Sequence, residues 1–189
     1  MNQPEDWDEK RVSRIDVDAL SDVMRDVERD PAKAKVEFRV KTIWQGAARS
    51  ETSVESYSIG GNTVPRKFKV VVDEPEEMLG GGSAINPHEL LMSALNSCLM
   101  VSYAAGAAIK GIDLESIEIE TAGELDLRGF LGIDRGVSPG HETLRYTVRI
   151  KGDGTPEEFR EIHETVMTTS PNFFNIAQPI RLEPTLVVG

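Results

Sequence analysis

The residue best suited to chemistry is the single cysteine, Cys98, in a chain of 189 residues. One thiol per chain excludes an intrachain disulfide and any multi-cysteine metal site. The three histidines, His88, His141 and His163, are far apart and form no HxxxH or HExxH spacing. Neither zinc nor haem chemistry is therefore expected, nor any other cofactor. A lone thiol can still act as a nucleophile or redox group, provided that a cation is brought near the sulfur. Cys98 lies eleven residues into a predicted helix, on the stripe Leu91, Leu95, Cys98, where the helix dipole gives no help. Some other segment must deliver the charge. Taken alone, such a cysteine reads as a small buried hydrophobe. Ser170 is the other nucleophile of note, but no histidine–acid pair is placed to activate it as a hydrolase would.

The elements that position these residues follow from periodicity. Ile15, Leu20, Val23, Met24 and Val27 recur at helical spacing, which predicts an amphipathic helix over 18–29, ended by Pro31, either packed on the main body or a partner chain or standing as a solvated extension. Residues 36–44 alternate, with Val36, Phe38, Val40, Thr42 and Trp44 on one face, and read as a strand. Gly46 marks a turn. Strands at 51–59 and 66–72 are joined across Gly60-Gly61-Asn62, a hairpin signal. The glycine-rich loop Gly80-Gly81-Gly82 follows. Pro87 opens a long helix that Gly111 stops, with Leu91, Leu95, Cys98, Leu99, Ala104, Ala105 and Ala108 on a broad apolar surface. A helix this apolar should be buried on most sides. Strands at 116–121 and 144–150 flank a glycine-punctuated stretch, 126–132, with no regular structure expected. Thr155-Pro156-Glu157-Glu158 is a capping box that starts a helix through Thr168, broken at Ser170-Pro171. Residues 180–188 read as a final edge strand, interrupted by Pro184. The sum is an α+β fold: a three-stranded meander, a long central helix, two strands, a second helix and a last strand.

Composition narrows the function classes. The net charge of −11 argues against a general nucleic-acid binder and against binding to an anionic membrane. The first ten residues lack the apolar core of a signal peptide, and no uninterrupted apolar run approaches the ~20 residues that span a bilayer. A cytoplasmic location is the expectation.

One segment carries a family resemblance. Pro87-His88-Glu89-Leu90-Leu91-Met92-Ser93-Ala94-Leu95-Asn96-Ser97-Cys98 resembles the P-x-E-L-L-x-x-A-L-x-x-C signature of the OsmC/Ohr family of thiol peroxidases. The order of elements is similar to that family's fold. Asp73-Glu74-Pro75, the stretch Asp126-Leu127-Arg128-Gly129-Phe130-Leu131-Gly132 and the N-terminal helix extend the resemblance to a subgroup. It implies two parts, a helical extension over 1–34 and an OsmC-like domain over 35–189.

The resemblance implies that Cys98 attacks an organic hydroperoxide. It assigns the family arginine to Arg49, with Arg39 a weaker candidate, and the carboxylate that orients it to Glu89. In some branches that carboxylate lies one position earlier, where this chain has His88. Glu89 and Cys98, nine residues apart, stand about 180° around one helix and roughly 13 Å along it. Two such residues can serve one site only across chains, in agreement with the intertwined homodimers of the family. The peroxidases also carry a resolving cysteine before a proline, where this chain has Ser170-Pro171. A hydroxyl cannot condense with a sulfenic acid to give a disulfide. The resemblance thus implies either a single-cysteine hydroperoxide reductase that depends on an external thiol, or a non-catalytic dimer that binds a small hydrophobic ligand, with Phe173 and Phe174 as lining.

Overall fold

The computed structural model describes residues 11–13 and 15–189. Their fold is α+β, and the chain divides into two compact units, one of Asp16–Ser93 and one of Arg11–Ile15 with Ala94–Gly189. A short ladder of β1 (Arg11–Val12) and β2 (Ile15–Asp16) precedes helix α1 (Val17–Arg29). The Asp16 side chain accepts from the Ala19 amide and fixes the start of α1. No residue of α1 is buried.

The first unit is built on a meander. The strand expected over 36–44 is two strands, β3 (Val36–Phe38) and β4 (Lys41–Trp44), both paired with β5 (Ser50–Ile59). Phe38 faces Tyr57 and Lys41 faces Ser53, so three steps on one side match four on the other. The extra residue on β5 coincides with its bulge between Val54 and Ser56, and splits the row. β6 (Asn62–Val72) pairs along the other edge of β5. Gly60 and Gly61 have φ of +54° and +80° inside the closing pair Ile59–Asn62, the two left-handed positions of a type I′ hairpin. Val36, Phe38, Val40 and Trp44, the apolar residues of the alternating row, are all exposed, Phe38 at 77% and Trp44 at 74%.

Helix α2 (Pro87–Ile109) runs from one unit into the other. By length and mean hydropathy it could cross a bilayer, which the interruptions at Ser93, Asn96, Ser97 and Ser102 do not prevent. It instead carries the core. Leu95, Leu99, Tyr103 and Ala107, four residues apart, form a stripe that is at most 3% exposed. Burial is confined to that side, since Leu91, Val101 and Ile109 are exposed. The expectation of burial on most sides therefore fails within the chain.

In the second unit the stripe meets the inner faces of β7 (Leu114–Gly123) and β8 (Leu144–Gly152). These pair antiparallel, with Ile117 opposite Ile150 and Ile119 opposite Val148. The stretch between them, expected to be irregular, holds one helical turn, α3 (Leu127–Phe130), capped by Asp126. Helix α4 (Pro156–Thr169) starts on the Thr155–Glu158 capping box and adds Ile162 and Val166 to the core. Gly106 of α2 lets the two helices touch, because a Cβ there would stand 3.0 Å from Ile162 Cγ2. A seven-residue helix, α5 (Pro171–Ala177), follows, which the sequence reading missed. Residues 178–189 form no strand, contrary to expectation, and Leu182, Leu186, Val187 and Val188 are each more than 80% exposed. Alternation favours a strand, but a ladder needs a neighbouring edge, and none pairs with this tail.

Candidate thiol site

Cys98 sits one position before the fully buried Leu99, so its sulfur leaves the core stripe at an angle and is half-buried. The turn between α4 and α5 closes over it. The Ser170 hydroxyl donates to Cys98 Sγ at 3.4 Å, and the Asn172 backbone amide donates to it at 3.5 Å. Ser170 is 1% exposed. Its position is fixed from both sides, its amide bonded to the Val166 carbonyl and its carbonyl accepting from the Phe174 amide. The Asn172 side chain donates to the Ala94 carbonyl at 2.9 Å and ties the turn to α2. Asn96 donates to the Ile119 carbonyl and accepts from Thr121 Oγ1, which anchors α2 on β7. The sulfur thus lies in a rigid setting with two donors aimed at it.

Arg49, in the first unit, immediately precedes β5 after a tight turn. Its amide donates to the Gly46 carbonyl, and its carbonyl accepts from the Gln45 amide. The indole of Trp44 donates to the Ala47 carbonyl and braces the same turn. Arg49 is half-buried as a residue, and its guanidinium donates to Ser83 Oγ. Ser83 in turn donates to the carboxylate of Asp73, which is 3% exposed. The hydrogen bonds from Ser83, with those of the Gly81 and Glu74 amides, hold the Asp73 carboxyl below the usual range despite its burial. Arg39 is spent on Glu37 at 2.8 Å, on an exposed strand.

Glu89 has a structural task. Its carboxylate accepts from the Asn86 amide at 2.9 Å while the Asn86 side chain accepts from the Glu89 amide at 2.7 Å. This is a reciprocal cap on the first turn of α2. His88 is half-buried beside it. The two residues that sequence reasoning left out of the site, Asp73 and Ser83, are those bonded in series to Arg49. The signal was there in the sequence, in Asp73-Glu74-Pro75 followed by three glycines and a serine.

Of the proposed apolar lining, Phe173 packs on the core and Phe174 is 62% exposed. A cleft of about 620 Å³ in the second unit is polar instead, lined by Glu124, Asp126, Arg128, Ser138, Glu142 and Arg145 among others. Arg128 holds the Asp126 carboxyl down at about 2 and is itself neutralised by the pair. Among the described residues no cluster of three or more histidine, cysteine or acidic side chains could hold a metal ion.

Known proteins share this arrangement of elements. The structure resembles an OsmC-like protein of Mycoplasma pneumoniae, with a TM-score of 0.58 at 13% identity over 76% of this chain and 89% of that one. It also resembles an OsmC-like protein of unknown function from Vibrio cholerae, with a TM-score of 0.50 at 15% identity over 72% and 91% of the two chains. In sequence, the chain is 25% identical over 128 residues to the uncharacterised protein YmaD of Bacillus subtilis, covering 67% of this chain and 75% of that protein. Residues 80–185, more than half the chain and including Cys98, match the family model described as OsmC-like protein. The chain belongs to the OsmC-like protein family.

Proposed function

We propose that the protein is a single-cysteine hydroperoxide reductase acting on organic hydroperoxides. The observation that carries the reading is the contact of Ser170 with Cys98: a half-buried, conformationally fixed sulfur is met by a hydroxyl where a resolving cysteine would stand. The Cys98 thiolate attacks the distal oxygen of the hydroperoxide, the O–O bond breaks, and the sulfur becomes a sulfenic acid. The electron pair leaves on the alkoxide, which takes a proton from solvent and departs as the alcohol. Arg49 is the guanidinium that the family resemblance assigns to the sulfur and to the departing alkoxide, where a planar fork of donors can meet a developing oxyanion. Glu89, to which the resemblance assigns the orienting carboxylate, caps the first turn of α2 through Asn86 in this chain. An external thiol then condenses with the sulfenic acid, releasing water, and a second thiol frees Cys98 as the external disulfide forms.

The working unit in this reading is a homodimer. The exposed aromatic residues Phe38, Trp44 and Phe68 and the apolar tail support it, because a monomer rarely leaves so much apolar surface in water. Residues 1–34 are an extension to an OsmC-like domain of 35–189, and the protein works in the cytoplasm, where a lone thiol stays reduced. The test is mass spectrometry of Cys98 after brief exposure to cumene hydroperoxide, with hydrogen peroxide for comparison. One added oxygen, trapped by a sulfenic-acid probe and faster with the organic peroxide, is expected. An unmodified thiol, or a monomer by sedimentation at micromolar concentration, would overturn the respective part.

A further inference from the structure

Asp73 is almost fully buried, and its carboxylate has no ion-pair partner among the described residues. A buried carboxylate of this kind persists only if donors replace its lost water. It has four. The amides of Glu74, Gly81 and Ser83 donate at 3.0, 3.2 and 3.2 Å, and the Ser83 hydroxyl donates at 2.7 Å. The loop is drawn so tightly around Asp73 that a Cβ at Gly80 would fall 1.8 Å from the Glu74 carbonyl oxygen. No larger residue fits there.

The direction of the chain of bonds is fixed by proton count. A guanidinium has donors and no acceptor, and an ionised carboxylate has acceptors and no donor. The single hydroxyl proton of Ser83 must therefore go to Asp73, and its lone pairs are left to accept from Arg49. Polarised by a full negative charge behind it, that hydroxyl is a better acceptor than an isolated serine would be. One guanidinium nitrogen is anchored in this way, and the remaining N–H groups are free to point elsewhere. The carboxylate at Glu89 is meanwhile engaged by Asn86.

We propose that Ser83 and Asp73 are the positioning residues of Arg49, forming a relay Arg49–Ser83–Asp73 that orients the guanidinium for the peroxide reaction in place of a directly paired glutamate. The relay rests on the reading of Arg49 as the reactive-site cation, and it is tested by a measurement that does not depend on that reading. The order of the Arg49 Nε–H group is measured by nitrogen-15 relaxation in the whole protein, with Arg49→Ala identifying its signal. Alongside it, the rate of Cys98 sulfenic-acid formation with cumene hydroperoxide is followed in the same variants.

Ser83→Ala keeps the three backbone donors of Asp73, so folding is retained. It is expected to mobilise the Arg49 Nε–H and slow oxidation on the order of tenfold to a hundredfold, as misplacement of a charged group does. Ser83→Thr keeps the hydroxyl and is expected to restore both. Asp73→Asn removes the charge and should loosen Arg49 in the same direction. An Arg49 as ordered in Ser83→Ala as in the parent overturns the relay, even if the melting temperature falls. If the parent Cys98 is not oxidised, or Arg49→Ala reacts as fast, the peroxidase reading fails while the order of Arg49 still decides the relay.

Discussion

The Ser170 hydroxyl lies 3.4 Å from Cys98 Sγ, directed at the sulfur from the turn that joins α4 to α5. Ser170→Cys would place a second thiol within reach of the first, on a segment already fixed by hydrogen bonds at Val166, Phe174 and Ala94. The variant should consume one equivalent of hydroperoxide, form a Cys98–residue 170 disulfide and resist sulfenic-acid probes. Non-reducing peptide mass mapping checks this. A sulfenic acid that stays open to the probe in that variant would show that the two positions do not come together in solution.

Cys98→Ser should abolish hydroperoxide consumption in the presence of a small thiol, since serine cannot take up and return the oxygen. Arg49→Ala should slow sulfenic-acid formation by about a hundredfold, the scale on which a preorganised charge stabilises a developing oxyanion. Stopped-flow loss of cumene hydroperoxide separates the two effects. Full turnover in the Cys98 variant would end the redox assignment.

Tyr103 gives the fold an alkaline limit. Its ring is 2% exposed, with the hydroxyl against Nδ1 of His163, and burial, followed by the neighbouring Tyr146, pushes its phenol from 10.0 up to about 12. A group whose folded-state value is raised contributes stability that is complete below the unfolded value. That contribution is lost as the pH climbs from 10 through about 12. Absorbance at ~295 nm should show Tyr103 titrating near the upper end, together with loss of tertiary structure. Tyr103→Phe should lose stability less steeply across that interval.

Gly106 separates helix propensity from packing. Alanine in a helix interior is favoured over glycine by about 1 kcal/mol. The added Cβ would nevertheless stand 3.0 Å from Ile162 Cγ2, a side chain 2% exposed and unable to yield. Overpacking of this kind costs about 1–3 kcal/mol, so Gly106→Ala should be net destabilising by on the order of 1 kcal/mol in urea titrations. Leu99→Ala, which empties the centre of the core, should cost about 2–5 kcal/mol.

The local signals were readable. The Thr155–Glu158 box, the Gly60-Gly61 turn and the alternation of β7 and β8 each involve residues only a few positions apart, and each stands in the structure as expected. The stripe on α2 was legible in its period and at Leu95, Leu99 and Ala108, which are buried, but not in its extent. Tyr103 and Ala107 bury where Leu91 does not, because what lies opposite α2 decides the buried side. The tail over 180–188 fails as a strand for the same reason, its alternation being intrinsic and its edge being supplied, or not, by other chain segments. The Arg49–Ser83–Asp73 series joins residues 34 and 10 positions apart, and only the backbone path of the loop brings them together.

Ser13 holds a φ of +50° and ties the start of the described chain to the turn after α2. Its amide donates to Asp113, its hydroxyl donates to the Ile112 carbonyl and accepts from the Leu114 amide. These contacts bridge about a hundred intervening positions, so the knot cannot tighten until the middle of the molecule has taken shape. It is expected to form late and to open early. An amide at Leu114 that exchanges with solvent sooner than its neighbours in β7 would record the opening.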